Sequence, residues 1–152
     1  MDTSFFLRLL KTDDSLSANA TGYFKYFLEQ GMPMLISTIS IAEYCVKGTI
    51  EELPMRHLQI VPFNIQHAKK AGEFAKVIFE NKGILSLPDR KIIPNDTKLF
   101  AQADAESAIV YYLTSDVESI KIFKLLKEKD MPKFQLINLY DKHNSVFGLL
   151  DF

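Results

Sequence analysis

Four acidic residues lie near the ends of predicted strands or at the starts of predicted helices, where proteins with alternating strands and helices usually have their active sites. Asp116 follows an apolar run with two residues between them, Glu43 comes shortly after a predicted strand, Asp96 begins a predicted helix, and Asp2 precedes the first apolar segment. Carboxylates within ~4–6 Å of one another resist joint ionisation unless a cation joins them. Mg²⁺ and Mn²⁺ prefer such oxygen ligands, and a metal pair stabilises the attacking and leaving oxygens in phosphodiester hydrolysis. The four residues are therefore candidate metal ligands and catalytic acids.

Three of these four acids also have a purely structural explanation. Glu43 lies three residues after Ser40, and Ser-x-x-Glu is the pattern of a helix capping box. Asp96 carries a charge that the first turn of a helix favours, and Asp116 is a favoured N-cap residue. No single acid decides the matter, so the hypothesis depends on their joint placement.

The segments between these acids alternate between strand and helix signals. Short apolar runs predict strands over 33–37, 58–63, 108–113 and 134–139. Helical patterns cover 5–10, 19–30, 41–47, a segment beginning at Asn64, 96–107 and 117–129, and a loop is expected over 83–94. Asn19 is a candidate cap of the 19–30 helix, and Gly31 is expected to end it in the left-handed conformation. Apolar strands alternating with helices predict a parallel sheet covered on both faces, whose ligands bind beyond the carboxyl ends of the strands.

Four blocks of this sequence together resemble the PIN-domain family, and within it the VapC-like toxins. The blocks are Asp2-Thr3-Ser4-Phe5-Phe6-Leu7, residues 36–43 ending in Glu43, residues 96–103 beginning with Asp96, and Tyr112-Leu113-Thr114-Ser115-Asp116. The third block followed after a strand by Thr-x-Asp is the most specific part of the match. Ser4 stands where the family more commonly has Asn.

The resemblance implies a single PIN-like domain over residues 1–152, a three-layer α/β sandwich with a mostly parallel central sheet flanked by helices. Its first strand is expected to be missing or truncated, because only Met1 precedes Asp2. The implied activity is that of a metal-dependent endoribonuclease, the toxin of a toxin–antitoxin pair, using Mg²⁺ or Mn²⁺. The implied metal and catalytic residues are Asp2, Glu43, Asp96 and Asp116, with Thr3, Ser4 and Thr114 in support. Family members are often homodimers, and an antitoxin protein plugs the acidic pocket.

An RNA substrate needs local basic contacts, because 18 Lys and Arg residues against 19 Asp and Glu residues leave no global basic field. Arg8 and Lys11, which follow Asp2, and Lys121, which follows Asp116, are candidates for binding RNA phosphate. The alternative places these residues on the solvent face of amphipathic helices. Asp104 and Glu106 are expected to be solvated.

Two other functions compete with the nuclease. A catalytically inactive PIN-like module that docks a protein or RNA partner would explain the missing first strand and Ser4. A phosphoaspartyl transferase using Asp2 as nucleophile is poorly supported, because position 4 is not Asp. A single cysteine, Cys45, excludes a disulfide framework, and no apolar run reaches membrane-spanning length. A cytoplasmic protein without membrane attachment is expected.

Overall fold

The computed structural model describes residues 1–81 and 94–148, which form a mixed α/β structure. The helices are α1 (Thr3–Leu10), α2 (Ser17–Glu29), α3 (Thr38–Tyr44), α4 (Ile65–Glu80), α5 (Asn95–Ala105), α6 (Val117–Lys127) and α7 (His143–Phe147). The strands are β1 (Met34–Ser37), β2 (Leu58–Val61), β3 (Tyr111–Thr114) and β4 (Gln135–Asn138). Two 3₁₀ turns, Ile50–Glu52 and Met55–His57, precede β2. The predicted loop over 83–94 lies, apart from Pro94, outside the described residues.

The strands pair in two small sheets. Strands β1 and β2 run parallel along their whole length. Strand β3 pairs with β4, and the N–H groups of Gln135 and Leu139 donate to the carbonyls of Val110 and Thr114 at 2.8 and 2.9 Å. The same sequence offset separates both pairs, as in parallel strands. The predicted α/β class with parallel strands is confirmed.

The described residues fall into two compact units. Unit 1 holds residues 1–62, 113–115 and 137–148, and unit 2 holds residues 63–81, 94–112 and 116–136. The first half of β3 and of β4 belongs to unit 2 and the second half to unit 1. Of the predicted metal ligands, Asp2 and Glu43 lie in unit 1, whereas Asp96 and Asp116 lie in unit 2.

In unit 1, the first two residues lie between two strands. The Met1 nitrogen donates to the Leu35 carbonyl of β1 at 3.3 Å, and the Asp2 N–H donates to the Leu113 carbonyl of β3 at 3.3 Å. The chain then enters α1, whose Phe5 and Phe6 side chains are fully buried. Residues 1 and 2 therefore extend the backbone hydrogen bonding between β1 and the end of β3.

Helix α2 packs its aromatic side chains into the core of unit 1. Tyr23 and Phe27 are buried and their rings stack at 6.2 Å, while Phe24 is half-buried against the His57 ring. The burial of Tyr23 and Phe27 shows that both pack in the core of unit 1. Burial of a phenylalanine of this kind typically contributes about 1.5–3 kcal/mol.

Some helix boundaries differ from the predicted ones and others agree. Helix α2 begins at Ser17, and Asn19 does not cap it but donates from Nδ2 to the Leu139 carbonyl at 2.9 Å. The helix expected to start at Asn64 is α4, and Asn64 is its N-cap, since its Oδ1 accepts from the N–H groups of Gln66 and His67. Gly31 adopts a φ of +62° after α2, also as predicted.

In unit 2, an aromatic cluster joins α5 and α6 to β3 and the residue just before β4. Phe100, Tyr112, Phe123 and Phe134 contact one another with ring centroids 4.8 to 5.9 Å apart. Such edge-to-face and tilted pairs add about 0.5–1.5 kcal/mol each beyond their buried area. This cluster gives unit 2 a core of its own.

Candidate functional site

The Asp2 carboxylate is held at the start of α1 by three hydrogen bonds. Its Oδ1 accepts from the Ser4 hydroxyl at 2.7 Å and from the Phe5 N–H at 3.0 Å, which makes Asp2 the N-cap of α1. Its Oδ2 accepts from the Thr114 hydroxyl at 2.5 Å. Asp2 is only 4% exposed. Two residues that are remote in sequence, Asp2 and Thr114, thus meet at the end of β3.

Burial and hydrogen bonding act on Asp2 in opposite directions. Burial raises the pKa of this carboxyl group. The bonds from Thr114, Ser4 and Phe5 and the attraction of the Met1 ammonium group lower it by a smaller amount, so its pKa lies above the ordinary value. The ionised carboxylate is therefore held in place by neutral donors but incompletely stabilised. A cation bound beside it would favour the ionised form.

Ser4 fills the role of a second hydroxyl in this cluster. Its hydroxyl donates to Asp2, accepts from the Ser115 N–H at 2.8 Å, and lies 3.3 Å from the Thr114 hydroxyl. Because each hydroxyl has one proton and both protons point to Asp2, the Ser4–Thr114 approach adds no donated bond. We call Asp2, Ser4, Thr114 and Ser115 the Asp2 cluster.

Glu43 is linked to the same end of α1 through Thr3. The Thr3 hydroxyl donates to Glu43 Oε2 at 2.5 Å and lies 3.4 Å from the Ser40 carbonyl. The prediction that Glu43 lies in the first turn of its helix is wrong, since α3 spans Thr38–Tyr44. The helix begins there because the Ser37 hydroxyl caps it, accepting from the Ile39 N–H at 3.1 Å.

The predicted capping box of Ser40 and Glu43 is also wrong. Ser40 lies inside α3, is fully buried, and its hydroxyl has no hydrogen-bond partner among the described residues. Glu43 lies in the last turn, where a carboxylate meets the unfavourable end of the helix dipole. A structural cap therefore does not explain why an acid stands at position 43.

Asp96 and Asp116 both lie at helix starts in unit 2. Asp96 is half-buried in the first turn of α5, as predicted. Asp116 is exposed and caps α6, since its Oδ1 accepts from the Ser119 N–H at 2.9 Å. The structural explanation of Asp116 as an N-cap is thus confirmed, and it leaves the carboxylate accessible to other ligands.

A complete metal site is not assembled in the described residues. Within residues 1–81 and 94–148, no three His, Cys, Asp or Glu side chains form a group that could hold a metal ion. The structure joins Asp2 to Ser4 and Thr114, and it joins Glu43 to Thr3. The site of four carboxylates stays a prediction.

The three candidate RNA contacts differ in their surroundings. In unit 1, Arg8 contacts both Ser115 of the Asp2 cluster and Asp14, whereas Lys11 is exposed. In unit 2, Lys121 is exposed and pairs with Glu118 one turn earlier at 2.8 Å, as expected for the solvent face of an amphipathic helix. Arg8 is thus the candidate that the structure connects to the Asp2 cluster.

Two acids that were expected to be solvated instead join helices in unit 2. The Asp104 side chain is 3% exposed, and it accepts from Lys70 at 3.0 Å and from the Lys133 N–H at 2.6 Å. Glu106 is partly buried and bonds to His67 Nε2 at 2.8 Å. The expectation failed because the position around a helix axis does not reveal which neighbouring helix covers that side.

Asp14 is the residue of this region that the sequence did not single out. It lies between α1 and α2, and its ion pair with Arg8 is what connects it to this region. A signal was present, since Asp14 starts a short turn in which its Oδ1 accepts from the Leu16 N–H at 2.8 Å. Such turns are too common to indicate a site from sequence alone.

No protein-family model matches the chain, and no curated protein matches it either. In the part of the chain that the structure describes, none of the helices is both long and apolar enough to cross a lipid bilayer.

Proposed function

We propose that this chain is an endoribonuclease of the PIN type that depends on Mg²⁺ or Mn²⁺ and acts as the toxin of a toxin–antitoxin pair. The observation that carries the proposal is the hydrogen bonding around α1 in unit 1. Asp2 bonds to Thr114 and Thr3 bonds to Glu43, so the first sequence block contacts both the second and the fourth. Blocks far apart in the chain meet through the residues that the resemblance singles out.

The proposed fold is the three-layer sandwich of the family in a single domain over residues 1–152. In unit 1, the backbone bonds of Met1 to β1 and of Asp2 to β3 support it. They lie where the first strand of the family would run, between β1 and β3. The proposal includes a homodimer and an antitoxin partner, as the resemblance implies.

The donor chemistry of the site suits a hard divalent cation. Asp2, Glu43, Asp96 and Asp116 would hold the metal, and a carboxylate that accepts up to roughly four hydrogen bonds has room left when it accepts three, as Asp2 does. The bound metal would polarise the scissile phosphate and lower the pKa of an attacking water. The chain's own contribution is to orient Asp2 through the Ser4 and Thr114 hydroxyls and to exclude water from it.

The test is RNA cleavage by Asp116→Asn. Asn caps helices as well as Asp does, so α6 should keep its start while the site loses one charge. We expect cleavage to fall at least about 100-fold, with the melting temperature unchanged or raised. Asp130→Asn is the matched control, because Asp130 is exposed and Asn tolerates its φ of 56°. Cleavage at the wild-type rate by both Asp116→Asn and Asp96→Asn would end the proposal.

The inactive binding module is the second candidate, and Mn²⁺ distinguishes it from the nuclease without any RNA. A functional acid site gains stability by mass action, about 2.7 kcal/mol when the free ion exceeds its Kd about 100-fold. We expect Mn²⁺ to raise the melting temperature of the wild type but not that of Asp116→Asn. Equal melting temperatures of the wild type with Mn²⁺ and with EDTA would favour the binding module.

A further inference from the structure

Arg8 connects the Asp2 cluster to the loop between α1 and α2. Its Nε–H donates to the Ser115 hydroxyl at 3.4 Å, and Ser115 in turn donates its N–H to Ser4, which donates to Asp2. Ser4 and Arg8 lie one turn apart on the same face of α1. The guanidinium therefore lies beside the Asp2 cluster.

The other side of the guanidinium is held by Asp14. Arg8 Nη1 donates to Asp14 Oδ2, while Asp14 Oδ1 is fixed by the Leu16 N–H. The hydrogen bond from Leu16 lowers the pKa of Asp14, and the nearby Arg8 lowers it further, so Asp14 is ionised at neutral pH. The Asp14 side chain is 12% exposed, whereas that of Arg8 is 36% exposed. Asp14 is thus a fixed anion already bound to the more accessible Arg8.

The guanidinium retains capacity for a second anion. It carries more N–H donors than these two contacts use, and the remaining donors have no partner among the described residues. Carboxylates and phosphates engage the same planar fork of donors. A phosphate that approaches the Asp2 cluster can therefore bind Arg8 in the manner of Asp14.

We propose that Arg8 is a positioning residue that binds an RNA phosphate beside the Asp2 cluster, and that Asp14 competes with this phosphate for the guanidinium. The inference rests on the proposed function and names a residue and a competing carboxylate for the same site. It has a distinctive consequence. Removing either partner of the Arg8–Asp14 pair costs stability in the same direction but changes RNA binding in opposite directions.

The experiment measures binding of a labelled, mixed-sequence single-stranded RNA in EDTA over a range of salt concentrations. For Arg8→Gln we expect binding about tenfold weaker, through loss of a charged hydrogen bond, and a log–log salt slope smaller by about 0.7. For Asp14→Asn we expect binding about two- to fivefold tighter, because a competing ion pair of modest strength, partly exposed on the Arg8 side, is removed. Lys25→Gln, an exposed lysine of α2, is the control for net charge.

The outcomes separate this inference from a structural ion pair. Wild-type affinity and slope in Arg8→Gln, or weaker binding in Asp14→Asn as well, would overturn it. If Arg8→Gln does not fold, Arg8→Lys keeps the charge and should retain the salt slope while losing affinity. In Mg²⁺, the KM for RNA should rise in Arg8→Gln more than kcat falls. Absence of cleavage by the wild type, with the binding results as expected, would refute the nuclease but not the phosphate contact.

Discussion

The two units each bury a carboxylate, but they stabilise it differently. In unit 2, Asp104 accepts from the Lys70 ammonium group and from a backbone N–H. In unit 1, Asp2 accepts from two hydroxyls and a backbone N–H. The first carboxylate is in direct contact with a full positive charge. The second is hydrogen-bonded only to neutral donors, and the Met1 ammonium group attracts it without forming a hydrogen bond to it.

This difference separates a structural acid from a candidate functional one. The charge of Asp104 is already balanced, and its bonds join α4, α5 and the segment before β4 within unit 2. Asp2 keeps a pKa above its ordinary value because burial outweighs its hydrogen bonds. Carboxyl groups whose pKa is shifted by burial are common at functional sites, where a bound ligand can compensate their charge.

The largest expected effect on stability comes from removing the Asp104 carboxylate of unit 2. Asp104→Ala leaves Lys70 without its closest partner and removes the acceptor of the Lys133 N–H. Because Lys70 is partly exposed, we expect a loss of about 2–3 kcal/mol in the free energy of unfolding, below the range for fully buried pairs. Urea denaturation measures it. Glu73→Ala, which removes a mostly exposed partner of Lys70 at 3.8 Å, should cost no more than about 0.5 kcal/mol. Equal losses would show that burial of Asp104 contributes little.

A smaller effect is expected when unit 1 loses a hydroxyl. Thr114→Val keeps the shape of the side chain but leaves Asp2 Oδ2 without its donor, which should cost about 1–2 kcal/mol. The matched control is Thr97→Val in unit 2, since the Thr97 hydroxyl is buried and has no hydrogen-bond partner in residues 1–81 and 94–148. That control should be neutral or stabilising. Urea denaturation of both variants measures the two free energies of unfolding. Losses of similar size would contradict the role given to Thr114.

Local signals in the sequence predicted much of the fold. The helix start at Asn64, the cap at Asp116 and the left-handed glycine at position 31 each depend on residues within one turn of chain, and all three are confirmed. Strand β3 was expected from the apolar run at 108 but begins at Tyr111. Apolar residues in sequence do not show where hydrogen bonding to a neighbouring strand starts.

The choice between Ser37 and Ser40 as the cap of α3 shows a second limit. Both serines precede an apolar stretch, so composition does not distinguish them. The helix begins at the first one because Ser37 ends β1 with extended backbone, the conformation that an N-cap requires. That information belongs to the sheet and not to the segment.

The candidate site was predicted in its residue types but not in its contacts. Asp2, Glu43 and Thr114 were named from the sequence, and the structure adds the donors that hold them. Asp14 and Asp104 could not be assigned in advance, because each is defined by a partner on another element. Only tertiary packing decides which carboxylates pair with a cationic side chain and which accept a hydrogen bond from a hydroxyl group.

The subtlest prediction concerns pH and tests the state of Asp2 directly. Burial raises its folded pKa above the ordinary value of 3.8, so the folded state binds this proton more tightly than the unfolded state does. The stabilisation from the protonated group is complete below the unfolded pKa and is lost as the pH rises through the folded pKa. In EDTA, the unfolding free energy of the wild type should therefore decline relative to that of Asp2→Asn over this window, by at most about 1.4 kcal/mol per pH unit. Urea denaturation at a series of pH values measures the difference, and Mn²⁺ should reduce it by favouring the ionised carboxylate. Parallel curves for the two proteins in EDTA would mean that the groups around Asp2 fully offset its burial, and the contrast between the units would disappear.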